Sequence, residues 1–116
     1  LINMGKSNLR YSYDPEADAI YLDLKESKPD FTVELTEHIL IDVTNDYKVV
    51  GIEILDASAE ISKIFNRSVN KNEVKNLLCE VKKERGNEYL VQFKSQERNE
   101  RANLLIPIYK SPLVSA

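Results

Sequence analysis

The sequence predicts an α+β fold: an antiparallel β-meander with one or two helices packed on it and a C-terminal β-hairpin. Three observations carry this. Between Leu9 and Ile54, short runs alternate apolar and polar residues with the period of two expected of half-buried strands, and only short polar connections separate them. After Ser58 the apolar spacing lengthens to that of a helix. Beyond Gly86 the alternation returns twice. At 116 residues and 42% hydrophobic content, the chain suits one domain, residues 1–116, with a core of its own. Within it, 9–66 form the meander with a short helix, and 67–116 add a helix and the hairpin.

Leu9, Tyr11 and Tyr13 share one side of a first strand, about Leu9 to Tyr13. Asp14-Pro15 opens a tight connection, because Asp accepts bonds from the amides ahead of it and Pro fixes φ. Ala19 to Leu24 resumes the alternation, with Ile20, Leu22 and Leu24 on one face and Tyr21 and Asp23 on the other, so the two runs read as a hairpin. A polar connection, Lys25 to Asp30, leads to a third strand with Val33 and Leu35. Thr36-Glu37-His38 turns it into a fourth with Ile39, Ile41 and Val43, and Thr44 to Lys48 turns that into a fifth with Val50, Ile52 and Ile54. Gly51 in a strand interior points to a bulge or a close approach by another backbone. Short connections favour antiparallel neighbours in sequential order, since parallel strands need long crossovers.

Asp56 or Ser58 suits a helix N-cap, and Ile61, Ile64 and Phe65 form an apolar stripe, which predicts a helix over Ala59 to Asn66. Asn70 with Glu73 resembles a capping pair. Val74, Leu77, Leu78 and Val81 then keep helical spacing up to a basic end at Lys82, Lys83 and Arg85 and a stop at Gly86, so Lys71 to Arg85 reads as a second helix. The competing reading makes Leu77, Cys79 and Val81 a strand that turns at Gly86-Asn87 into Tyr89, Val91 and Phe93. Glu88 to Ser95 and Ala102 to Tyr109 are the last strands, with Pro107 marking an edge or an end. Ser111 to Ala116 reads as a frayed tail.

Two stretches carry a family resemblance: Tyr13-Asp14-Pro15-Glu16-Ala17-Asp18-Ala19-Ile20-Tyr21-Leu22 and Gly51-Ile52-Glu53-Ile54-Leu55-Asp56-Ala57-Ser58. Over residues 9–58 the chain resembles a small prokaryotic family known as domain of unknown function number 2283, whose members read roughly YDxEADALYI and then GIEILDAS. The resemblance implies a compact β-rich module and an antitoxin-like partner protein. It brings no catalytic residues with it, and it does not reach the C-terminal half.

No run approaches the roughly 18 uncharged apolar residues of a membrane helix, and Leu1 to Lys6 lacks the long apolar segment of a signal peptide. The expectation is a cytoplasmic protein without a membrane partner. Cys79 is the only cysteine and His38 the only histidine, which leaves neither a disulfide nor a zinc site within one chain; Cys79 reads as a small buried hydrophobe. The net charge of −3 conceals a division. Residues 1–58 hold five Lys/Arg against twelve Asp/Glu, a net of −7, and residues 59–116 hold eleven against seven, a net of +4. Opposite halves favour a homo-oligomer or a protein partner.

Asp14, Glu16 and Asp18 are weak candidates for a divalent-cation site, since hard cations take carboxylate oxygens from such turns, but the spacing lacks the glycine and distal Glu of a Ca²⁺ loop. If Asp23, Glu53 and Asp56 joined them, a metal-dependent hydrolase or nuclease would be the alternative function. His38 reads as an exposed turn residue with only Glu37 near it. No nucleophile elbow, Gly-rich phosphate loop or CxxC is present, so neither catalytic residues nor a cofactor are assigned. Tyr11, Tyr13 and Tyr21 with Arg98 and Arg101 are the interaction candidates. Lys82, Lys83, Arg85, Arg98 and Arg101 are the only basic cluster a nucleic acid would use, and interleaved glutamates dilute it. The primary expectation is therefore a non-enzymatic, self-associating protein-interaction module.

Overall fold

A computed structural model describes residues 9–24, 27–84 and 88–107. Eight strands and two helices follow in order: β1 (Arg10–Asp14), β2 (Ala19–Asp23), β3 (Phe31–Thr36), β4 (Ile39–Val43), β5 (Val49–Ile54), α1 (Ala57–Phe65), α2 (Lys71–Lys75), β6 (Leu78–Glu84), β7 (Glu88–Ser95) and β8 (Glu100–Pro107). The α+β class and the antiparallel pairing are as the sequence predicts. The tail Ser111 to Ala116, the end of the last strand at Ile108 and Tyr109, and the Gly86-Asn87 turn lie outside the described residues.

The first five strands form one sheet in the order β1-β2-β5-β4-β3, meander-like but not sequential: β5 sits between β2 and β4, and β3 is at the far edge. Burial explains the order. In β5 only Glu53 is partly exposed, and a strand this apolar is best placed at the centre, where both edges pair and one face packs. Ile52 and Ile54 are fully buried, opposite Leu22 and Ile20 on β2 and Ile41 and Ile39 on β4. The register shifts as Asp42 pairs with Gly51 and Val43 with Val49, so Val50 is the bulged residue beside the glycine, and both valines are buried.

α1 begins two residues earlier than its apolar stripe suggests and ends at Asn66, whose φ of 57° makes a left-handed cap with the Arg67 N–H bonded to the Ser62 carbonyl. The second helix departs most from expectation. α2 is a single turn, opened by Asn70, whose side chain accepts the Glu73 N–H at 2.8 Å, and the chain then becomes β6. The spacing that suggests a helix to Arg85 also fits a strand, and pairing decides it: β6 joins all seven of its residues to β7. Arg85 itself lies outside the described residues.

β6, β7 and β8 make a second, three-stranded sheet in sequential order, in which β6 joins the C-terminal hairpin of β7 and β8. Pro107 closes β8 on an edge, where no ladder donor is needed. One apolar cluster joins the inner faces of both sheets, from Ile20, Ile41 and Ile52 through Ile61, Val69 and Val74 to Val91, Phe93 and Ile106. No helix among the described residues is long and apolar enough to cross a membrane.

Candidate functional site

The acidic turn is built into the fold rather than gathered around a ligand. Asp14 Oδ1 accepts the backbone N–H groups of Glu16 and Ala17 at 3.0 and 3.3 Å, closing its own turn, and Glu16 is exposed. Asp18 takes a left-handed φ of 54°. Its Oδ1 accepts the Tyr13 hydroxyl at 2.6 Å and the Ser58 N–H at 3.0 Å, its Oδ2 accepts the Ser58 hydroxyl at 2.7 Å, and its carbonyl accepts the Ala57 N–H at 2.8 Å. Asp18 therefore caps α1 from a distant turn. Asp56, which the sequence offers as the cap, occupies the N-cap position with a φ of 49° and makes no side-chain cap bond. Burial alone would raise Asp18, but hydrogen bonds from Tyr13 and Ser58 and the charge of Lys71 outweigh it and hold its carboxyl below the ordinary 3.8. Lys71 Nζ reaches the Pro15 carbonyl at 3.0 Å.

Tyr11 and Tyr13 lie on the packed face, opposite Leu22 and Ile20. The Tyr11 hydroxyl donates to the Val74 carbonyl at 2.7 Å, tying β1 to α2. Tyr21 lies on the other face, where its hydroxyl donates to Asp42 Oδ2 at 2.7 Å while Thr32 Oγ1 donates to Oδ1 at 2.7 Å. The phenol crosses Gly51 to get there, and a Cβ at residue 51 would overlap its Cζ and hydroxyl. So the close approach read from Gly51 is made by a side chain, and the three tyrosines do not form one surface. Burial first, then the bond to Asp42, raises the Tyr21 pKa; burial and Asp18 do the same for Tyr13.

His38 is not an exposed turn residue beside Glu37. Its side chain is 28% exposed, with Nε2 3.0 Å from Asp56 Oδ2 and Nδ1 2.9 Å from Glu60 Oε2, which binds the β3–β4 turn to the start of α1. A second polar cluster joins the helices to the C-terminal sheet. Arg67 grips Glu73 with two nitrogens, at 3.0 and 2.5 Å, and Glu100 with its Nε at 2.8 Å, while the buried Ser95 hydroxyl donates to Glu73 at 3.1 Å. The bond to Arg67 outweighs burial and holds Glu73 below its ordinary value. Glu73 and Ser95 also line a cavity of about 330 Å³ with Asn76, Gln96 and Glu97. Neither cluster is visible as a motif, since His38 is 18 and 22 residues from its partners and Arg67 and Glu73 are joined by Glu100 and Ser95 from more than 20 residues away.

Among the described residues no group of three or more His, Cys, Asp or Glu is placed to hold a metal ion. Asp23 and Glu53 lie on the outer face of the first sheet, and Asp18 and Asp56 at the junction with α1. No buried side-chain polar atom among the described residues lacks a partner.

The outer face of the C-terminal sheet differs. Its rows read Leu78-Lys94-Arg101, Glu80-Gln92-Asn103, Lys82-Leu90-Leu105 and Glu84-Glu88-Pro107 across the three strands. Leu78 and Leu105 are 49% and 51% exposed, two of the three exposed large hydrophobics among the described residues. Arg101 belongs to this face, and Arg98 to the exposed β7–β8 turn.

Residues 10–58 match the family described as a protein of unknown function (DUF2283). The match ends inside α1, and it contains Tyr13, Asp18, Tyr21, Asp42, Gly51 and Ser58, the side chains and glycine that hold the hairpin to α1 and the phenol across the sheet. No curated protein and no solved structure matches the chain.

Proposed function

We propose that the protein is a non-catalytic protein-interaction module, in which the family-like sheet is the scaffold and the outer face of the C-terminal sheet is the contact surface. The observation that carries this is the half-exposure of two large apolar side chains on one regular sheet face, Leu105 beside Leu90 and Leu78 beside Lys94 and Arg101. Exposed apolar side chains that share a flat face with charged ones are typical of contact surfaces. The carboxylates of Asp14 and Asp18 support the same reading, because each is engaged in holding the backbone. An antitoxin-like role is one member of this class.

A photo-crosslinking residue placed in living cells at Leu105, and separately at Glu34 on the outer face of β3, tests it. Discrete protein adducts from position 105 but not from 34 are expected. Adducts of equal yield from both, from 34 alone, or from neither would overturn the proposal.

A further inference from the structure

We infer that the occupant of this face is a second copy of the same chain, stacked sheet on sheet about a two-fold axis that runs in the plane between the sheets and across the strands. The inference rests on the interaction reading above and names its partner. Its basis is the order of charge along the face. One end carries Lys94 and Arg101, paired with each other across β7 and β8; the other carries Glu84 and Glu88, paired across β6 and β7. A two-fold axis across the strands lays each strand over its own reversed copy. Lys94 then faces the second copy's Glu88, and Glu88 faces the second copy's Lys94, so every contact is made twice, while on the flanking strands Arg101 falls over the second copy's Pro107 and Leu78 over its Glu84. Between these ends, Leu90 and Leu105 cover the second copy's Gln92 and Asn103, whose side chains already bond each other at 3.2 Å.

The alternatives fit less well. A two-fold axis parallel to the strands would set the basic ends against each other and the acidic ends likewise, and like charges in apposition oppose association. The outer face of the first sheet carries Asp23, Asp42 and Glu53, so stacking there would match the basic end alone, whereas the two-fold arrangement matches both ends. Aligned stacking of twisted sheets keeps strand directions within about 30°, which preserves the end-to-end match. The face is small, about 23 Å by 14 Å from seven residues and three strands. It therefore supports a weak, concentration-dependent dimer rather than an obligate one.

The test is a charge swap on the full chain, read by sedimentation or light scattering up to millimolar protein, with circular dichroism to verify folding. Lys94→Glu alone places like charges in contact twice, and so does Glu88→Lys alone; each is expected to weaken the dimer by about tenfold or more. The double variant restores both pairs with reversed sign and is expected to dimerise like the parent. Residues 88 and 94 are about 20 Å apart along one strand, so this rescue has no route within one chain. A parent that stays monomeric, a dimer indifferent to the single variants, or a double variant no better than the singles would each overturn the inference. If the parent is monomeric while position 105 still gives adducts with another protein, the interaction reading stands and the second copy is ruled out.

Discussion

At the scale of single residues, Gly51 shows how a local sequence signal and its structural cause differ. The glycine is there because the Tyr21 phenol crosses it to reach Asp42, an arrangement set by two strands that are distant in sequence. Gly51→Ala forces the ring aside and breaks that hydrogen bond, at an expected cost of about 1 to 2 kcal/mol. In a Tyr21→Ser background most of that cost disappears, which a double-mutant cycle by chemical denaturation measures. Asp18→Ala removes the acceptor for three donors and a helix cap, and about 2 to 4 kcal/mol of stability is expected to go with it. Asp14, Glu16 and Asp18 spend their oxygens on the turn and the cap or on solvent, so millimolar Mg²⁺ or Ca²⁺ should leave the melting temperature unchanged. A rise abolished by Asp14→Asn would argue for the hydrolase alternative. Cys79 is half-buried, and burial pushes its thiol up to about 12, so thiol reagents should modify it far faster after denaturation than before.

At the scale of elements, the strands of the first half were legible because each carries its own alternation and its own turn chemistry, as at Asp14 and Thr44. Their order was not. Local periodicity says which residues face the core, but β5 becomes central because of its partners, Ile20 and Leu22 on one side and Ile39 and Ile41 on the other. Ile52→Ala or Ile54→Ala should cost about 2 to 5 kcal/mol, with Glu53→Ala close to neutral. The stretch after Asn70 was ambiguous for a physical reason: Val74, Leu77 and Val81 suit a helix, while Leu77, Cys79 and Val81 suit a strand, and only pairing with β7 selects between them. The division of the three tyrosines between two faces was only partly legible. Alternation already put Tyr21 opposite Ile20 and Leu22, yet only the strand pairing shows Tyr11 and Tyr13 packed on the core side. The His38 and Arg67 clusters had no sequence signal, because their partners meet through the packing of α1 and α2.

At the scale of the whole molecule, the titrating groups fix a pH window. Asp18 and Glu73 lie below their ordinary 3.8 and 4.5 in the folded protein, so their contribution is complete above those values and fades as pH falls through the lowered ones. Tyr11, Tyr13 and Tyr21 lie above their ordinary 10, so theirs is complete below pH 10 and fades as pH rises beyond it. A melting temperature that is flat near neutrality and drops at both ends is the expected profile. The opposite charge of the two halves is evident from composition, whereas the charge order along one face, on which the proposed dimer rests, is not contained in it. The central claim, that two copies of the chain meet through the C-terminal sheet and not through the family-like one, is tested most directly by backbone amide spectra recorded over a dilution series. The account expects concentration-dependent shifts at Glu88, Leu90, Gln92, Lys94, Asn103 and Leu105, with Ser12, Tyr21, Asp42 and Glu53 unmoved. Shifts confined to the outer face of the first sheet, or none on either face, would contradict it.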